Sequence, residues 1–387
     1  MMNLFDEIID RRGTDSYKWD TTAAGVTPMW VADMDFRTAP CIIEALKRRV
    51  EHGIFGYTAV PQRYYRAIHT WFEQRHGWNM NTDNIIYTPG VVPAISAIIK
   101  AMTNPGNKVI CQTPAYNCFF SSVRNNGCIF AANPLAGSES HGFTIDYDNL
   151  ESLASDPQSR VLLLCNPHNP SGRVWTADEL RRVADICLRH DIFVISDEIH
   201  CELTYPGHDY TPFATVAPHG LRWAVCFSPS KAFNIAGLQI ANILACDKEI
   251  RSSIDRAVND NEVCDVNPFG VIATIEAYEN GSKWLDELRH YLSYNYHLVK
   301  DRFKALPQYP IADLQGTYLV WINISASGLS ADSMEALLEE KAAVRVASGS
   351  IYGSDSHLRL NIACPRAVLA KNLDKMIPVM ESLFVGK

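Results

Sequence analysis

The sequence predicts an α/β fold in which a mostly parallel sheet is covered by helices, with a smaller α+β domain beside it. Three observations carry this prediction: short β-rich runs apolar on both faces, longer amphipathic stretches between them, and a change of texture after about Trp284. Strands buried on both faces belong to sheets with helices on each side. With 387 residues, 47% of them hydrophobic, the chain can fill more than one core, so two domains are expected.

The amino-terminal stretch "MMNLFDEIIDRRGTDSYKWD" carries charges throughout and has no apolar core ahead of a small-residue cleavage site. It does not read as a secretory signal. Five strands are expected at "KVICQT" (Lys108 to Thr113), "RVLLLC" (Arg160 to Cys165), "IFVIS" (Ile192 to Ser196), "WAVCFS" (Trp223 to Ser228) and "QIANILAC" (Gln239 to Cys246). Between them, "TADELRRVADICLRHD" opens with Thr176 and places Glu179 three residues later, the pattern of a capping box. From about Trp284 a long amphipathic helix runs through Leu306. The strand "YLVWINI" (Tyr318 to Ile324), a helix near Asp332 to Lys341, the strand "LRLNIA" (Leu358 to Ala363) and a last helix follow. We therefore expect residues 1–45 to join a small carboxy-terminal domain at 285–387, with a large domain at 46–284.

Composition narrows the partners. A net charge of -8 without a basic stripe argues against nucleic acid or an anionic membrane, and no apolar run is long enough to span a bilayer. Small molecules or proteins remain. The eleven cysteines are scattered singly, with neither a CxxC pair nor a zinc-like cluster. Reduced core thiols in a cytoplasmic protein, and no metal, are expected.

Ligands of open α/β sheets bind beyond the carboxyl ends of the strands. Three such ends are followed by unusual residues: "NPHNPSG" (Asn166 to Gly172), "DEIH" (Asp197 to His200) and "PSKAFN" (Pro229 to Asn234). Each alone has another reading. The first is a proline-directed turn, Asp197 with Glu198 an acidic loop or helix cap, His200 a satisfied surface histidine, and Lys231 a solvated lysine. Together, an amide, a carboxylate and a lysine at one sheet edge are the residue types that pyridoxal phosphate chemistry requires.

"NPHNPSG", "SDEIH" and "SPSKAFN", in this order and spacing, resemble the pyridoxal-phosphate enzymes of fold type I, the aspartate aminotransferase superfamily. "PMWVADMDF" (Pro28 to Phe36), "FGYT" (Phe55 to Thr58) and "LRLNIACPR" (Leu358 to Arg366) are most similar to its MalY/PatB-type cystathionine β-lyases. The resemblance implies a large domain with a seven-stranded sheet and a small domain built from both termini. It implies that Lys231 links to pyridoxal 5'-phosphate, Asp197 pairs with the pyridine nitrogen, Asn169 bonds the phenolic oxygen and Tyr116 stacks on the ring. The phosphate would sit at Gly90 and the amides of Val91 and Val92, with hydroxyls from Ser228 and Ser230. Arg359 would grip the substrate carboxylate, with Ala32 and Asp33 nearby. Tyr57 would reach the phosphate in a neighbouring subunit, which implies a homodimer with shared sites. Two positions depart from the wider superfamily: Gln239 stands where an arginine is common, and His200 where a tyrosine is.

The implied reaction is α,β-elimination. The freed Lys231 takes the Cα proton, sulfur leaves Cβ as a thiol with a proton from Lys231 or a nearby tyrosine, and pyruvate and ammonia result. L-cystathionine is the expected substrate, with L-cystine or other cysteine conjugates alongside. An aminotransferase on the same scaffold shares every cofactor contact and is the first alternative. The second is a regulatory protein that retains the cofactor and binds a protein partner.

Overall fold

A computed structural model describes residues 4–260 and 265–383. Its main sheet has seven strands: β1 (Ile85–Thr88), β2 (Lys108–Thr113), β3 (Ile129–Pro134), β4 (Ser159–Cys165), β5 (Phe193–Asp197), β6 (Trp223–Phe227) and β7 (Ala241–Ala245). Their order across the sheet is β1-β7-β6-β5-β4-β2-β3. Neighbours from β6 to β3 pair in parallel, while β7 runs antiparallel to both β1 and β6. The reversal follows from the connection: the loop from β6 to β7 carries a single short 3-10 turn and no crossover helix, so the chain comes back beside the strand it left.

All five strands expected from the sequence are present, and two more, β1 and β3, occupy the sheet edges. Neither carries a long run that is apolar on both faces. In β3, "IFAANP", buried and exposed positions alternate, and β1 is only four residues long. The inner strands do alternate between two cores. Val161 and Leu163 of β4 join Val109, Cys111 and Ile195 on one face of the sheet, whereas Leu162 and Leu164 join Ile110 and Val194 on the other. This two-residue period is what a strand covered on both sides requires.

The helices that position the site are α1 (Pro40–His52), α2 (Gln62–His76), α3 (Val91–Met102), α4 (Asn117–Asn125), α5 (Ala177–Arg189), α6 (Pro268–Asn280) and α7 (Ser282–Phe303). Ile95 and Ile98 of α3 pack into the first core, and Leu180 and Val183 of α5 into the second. The expected capping box is formed: Glu179 N donates to Thr176 Oγ1 at 3.2 Å and Thr176 N donates to Glu179 Oε2 at 2.8 Å.

A smaller α+β domain follows, with strands β8 (Leu319–Asn323), β9 (Ala347–Ser348) and β10 (His357–Asn361) in the antiparallel order β8-β10-β9. Helices α8 (Ala331–Ala342) and α9 (Arg366–Ser382) cover it. The amino terminus joins this domain, since Thr27–Pro28 pairs in parallel with Val344–Arg345. Among the described residues no helix is long and apolar enough to cross a membrane.

Candidate active site

Strands β4, β5 and β6 are adjacent and parallel, with Cys165, Asp197 and Cys226 in register at their carboxyl ends. The three loops that leave them must therefore emerge side by side. They deliver Asn169, Asp197 and Lys231 to one cavity of about 240 Å³, which is also lined by Tyr116, His200 and Ser230. Its floor is the start of α3: Gly90 caps that helix, and the Val91 and Val92 amides fall in its first turn, where no intrahelical acceptor exists. This is a ready site for an anion.

The charges here are unusual. Asp197 accepts one hydrogen bond, from Ile199 N at 3.1 Å. Among the described residues no cation lies within ion-pair distance of it. Burial pushes its pKa up to about 7 against the pull of the Ile199 amide and Lys231. Lys231 donates from Nζ to the Ala32 carbonyl at 2.6 Å. Burial, and then Arg359, bring its pKa down to about 8. A buried carboxylate without a counter-ion, a lysine of depressed pKa and a helix amino terminus in one cavity fit a phosphorylated, protonated pyridine aldehyde. The missing counter-ion of Asp197 is the feature that such a ring nitrogen would supply.

Arg359, on β10, is buried and reaches the cavity through Asn169 without lining it itself. It donates from Nη1 to Asn169 Oδ1 at 3.1 Å and from Nη2 to the Trp30 carbonyl at 3.0 Å, and its guanidinium lies 4.5 Å from the centre of the Tyr352 ring. Its Nε has no partner. Alternation along β10 places His357 and Asn361 on the same face. His357 Nε2 meets Glu139 Oε1 at 2.6 Å, and Asn361 Nδ2 donates to the carbonyls of Val31 and Asp33 at 2.5 and 2.7 Å. Leu358 and Leu360 point the other way, into the core.

His200 requires a correction. It is 3% exposed rather than on the surface, and its Nδ1 has no partner. The chain after β5 is roofed by the small domain: Thr317 N donates to the Leu203 carbonyl at 2.7 Å, and the Tyr318 ring meets the His200 ring edge-on at 6.3 Å. Burial, with Lys231 and Arg359 adding repulsion, lowers the His200 pKa to about 3, which leaves the ring neutral at physiological pH.

Three other expected site residues lie elsewhere. The Ser228 hydroxyl is occupied within the loop, donating to the Ile240 carbonyl at 2.5 Å and accepting from Ser230 N at 3.0 Å. Asp33 accepts from Arg11 Nη2 at 2.7 Å. Tyr57 is 96% exposed on the connection between α1 and α2 and does not line the cavity of its own chain. The sequence reading omitted Tyr318, whose hydroxyl donates to the Ala32 carbonyl at 3.0 Å, and Asn361. Asn361 had a signal, since it stands two residues beyond Arg359 on one strand.

Residues 26–376 match the family model described as aminotransferase class I and II. The chain is 40% identical over 381 residues to the cystathionine beta-lyase PatB of Bacillus subtilis, an alignment covering 96% of this chain and 98% of the relative. It is 33% identical to Protein MalY of Escherichia coli, covering 98% of this chain and 99% of that one. The crystal structure of cystalysin from Treponema denticola, which contains a pyridoxal 5'-phosphate cofactor, superposes with a TM-score of 0.95 at 33% identity, covering 99% of this chain and 100% of that one.

Proposed function

Because the chain belongs to the aminotransferase class I and II family, and within it to the MalY/PatB-type carbon-sulfur lyases, we propose that it cleaves L-cystathionine to homocysteine, pyruvate and ammonia, using pyridoxal 5'-phosphate. The observation that carries the reading is the pairing, in one cavity, of a lysine of lowered pKa with a buried carboxylate that lacks a counter-ion.

When bound, the cofactor supplies an electron-withdrawing ring that stabilises negative charge at the substrate Cα. Asp197 holds the proton on the ring nitrogen, and the positive nitrogen in turn favours the ionised carboxylate. The Oδ1 of Asn169 accepts from Arg359, which leaves its Nδ2 as the end that would donate to the phenolic oxygen. Tyr116 would cover a ring face, and the Val91 and Val92 amides with the Ser230 hydroxyl would hold the phosphate. Arg359 takes the substrate carboxylate through its planar donor fork. Lys231, with a pKa of about 8, has an appreciable neutral fraction near pH 7.5 and can take the Cα proton. It then carries that proton to the departing sulfur, so the thiol leaves without help from solvent.

Purified protein given L-cystathionine and no keto acid is expected to release pyruvate and homocysteine in equal amounts. Turnover that depends on an added keto acid would replace this reading with transamination.

The functional unit we propose is a homodimer. Ile54, Phe55 and Tyr57 are exposed together on the connection between α1 and α2, an apolar patch suited to a second copy. If Tyr57 serves the neighbour's phosphate, a mixed dimer of Tyr57→Phe and Lys231→Ala subunits holds one site with both defects and one with neither. Given that Tyr57→Phe alone is impaired, separately tagged and co-purified mixed dimers should recover about half the wild-type activity. Activity no higher than the mean of the two parent homodimers would remove Tyr57 from the partner's site.

A further inference from the structure

The segment Trp30 to Phe36, whose Ala32 lines the cavity, runs beside it as a strap, and the site's own side chains hold its carbonyls. Arg359 takes that of Trp30, Asn361 those of Val31 and Asp33, and Lys231 with Tyr318 that of Ala32. Asn234, three residues after Lys231, donates to the carbonyls of Met34 and Phe36 at 3.0 and 2.8 Å. Two groups central to the reaction, Lys231 and Arg359, are thus registered against one short piece of backbone.

The outer side of the strap is held differently. Lys18, on the short helix Tyr17–Asp20, is 1% exposed. Its Nζ donates to Asp35 Oδ2 at 2.9 Å and lies 3.5 Å from Asp33 Oδ1. Arg11 spans both carboxylates at 2.7 Å each and also reaches the Met34 carbonyl at 3.1 Å. Trp19 Nε1 adds a bond to Asp35 Oδ1 at 2.8 Å. Replacing such a buried pair by apolar groups of similar volume is often neutral for stability. Lysine and aspartate here therefore need a reason beyond holding the fold, and the strap they grip suggests one.

We propose that the Lys18–Asp35 pair, with Arg11 and Trp19, is a positioning device that sets the height of the strap and thereby aims Arg359 at the substrate carboxylate. The inference rests on the reading of Arg359 given above. A shift of the strap withdraws the Trp30 carbonyl that steers Nη2. An error of about 1 Å at such a contact costs on the order of a hundredfold.

The test uses the double variant Lys18→Met/Asp35→Leu, which removes the pair together and leaves Arg11 bonded to Asp33 while Trp19 Nε1 loses its acceptor, and the milder Trp19→Phe, which deletes one bond to Asp35. Melting temperature, KM and kcat for L-cystathionine would be measured on the holoenzyme. The dissociation constant of 3-(methylthio)propionate, a carboxylate thioether with no amine to react, would be measured by calorimetry. The expected result is a rise of about tenfold or more in KM and in that dissociation constant for the double variant, a smaller rise for Trp19→Phe, and a melting temperature that does not track either. KM and the dissociation constant both within threefold of wild type in the double variant, or both unchanged in Trp19→Phe should the double variant fail to fold, would overturn the inference. So would losses in binding that follow the melting temperature from variant to variant. Arg359→Lys serves as the control: if it leaves KM unchanged, the reading of Arg359 fails, and if it raises KM while the strap variants do not, only the positioning role fails.

Discussion

Lys231→Ala is expected to abolish turnover of L-cystathionine, with a loss of at least about 10⁴-fold, since on the proposed mechanism the variant would lack both the covalent hold on the cofactor and the base for the Cα proton. The wild-type protein should show absorbance that borohydride removes, and peptide mapping after reduction should locate the modification on Lys231. The variant should lose that reducible absorbance while keeping its fold. Ala32 and Tyr318 would still share a hydrogen bond, and among the described residues Lys231 is in no salt bridge that the change would break. A reducible chromophore mapped to another lysine would sink the assignment.

Asp197→Asn is expected to be the next most damaging change, and it should separate activity from stability. The amide keeps the shape and the acceptor for the Ile199 amide, yet it cannot hold a proton on the ring nitrogen. Turnover should fall by about 10² to 10³, the size of effect seen when one preorganised electrostatic contact is removed. Stability should move the opposite way in protein stripped of cofactor. The pKa of Asp197 is raised from 3.8 to about 7 in the folded state, so between those values the folded protein binds more protons than the unfolded chain. Stability therefore falls as pH rises through that window, by up to about 4 kcal/mol above it. Asn carries no such penalty, so cofactor-free Asp197→Asn should melt higher than wild type at pH 8 and similarly at pH 4. An equal melting temperature at pH 8 would mean that the carboxylate is already compensated.

These residues were legible because parallel strands leave no freedom about where their ends point. Once "RVLLLC", "IFVIS" and "WAVCFS" read as buried strands, Asn169, Asp197 and Lys231 had to share an edge. The edge strands β1 and β3 were not legible for different reasons: β1 places Ile85 and Ile86 in opposite cores but is only four residues long, and β3 mixes exposed and buried positions with no double-faced apolar run. His200 misled for a related reason: a histidine after a strand end looks solvent-facing unless one knows that Thr317 and Tyr318, over a hundred residues later, lie above it. The strap was visible only as a motif. Its engagement through backbone carbonyls leaves no trace in residue types, and its outer anchors Arg11 and Lys18 look in sequence like ordinary surface charges.

The alternation on β10 has a consequence for how this chain tolerates changes in length. His357, Arg359 and Asn361 share one face while Leu358 and Leu360 share the other, and a shift of one residue exchanges the two sets. Such a shift would send two leucines toward the cavity and three polar side chains into the apolar core, losing the Glu139 contact, the Arg359 bond to Asn169 and the strap in one move. An intermediate register is not available, so an insertion in the turn before the strand is either absorbed entirely by that turn or fatal to all three contacts together. The strand behaves as a parity check on the length of the chain that precedes it.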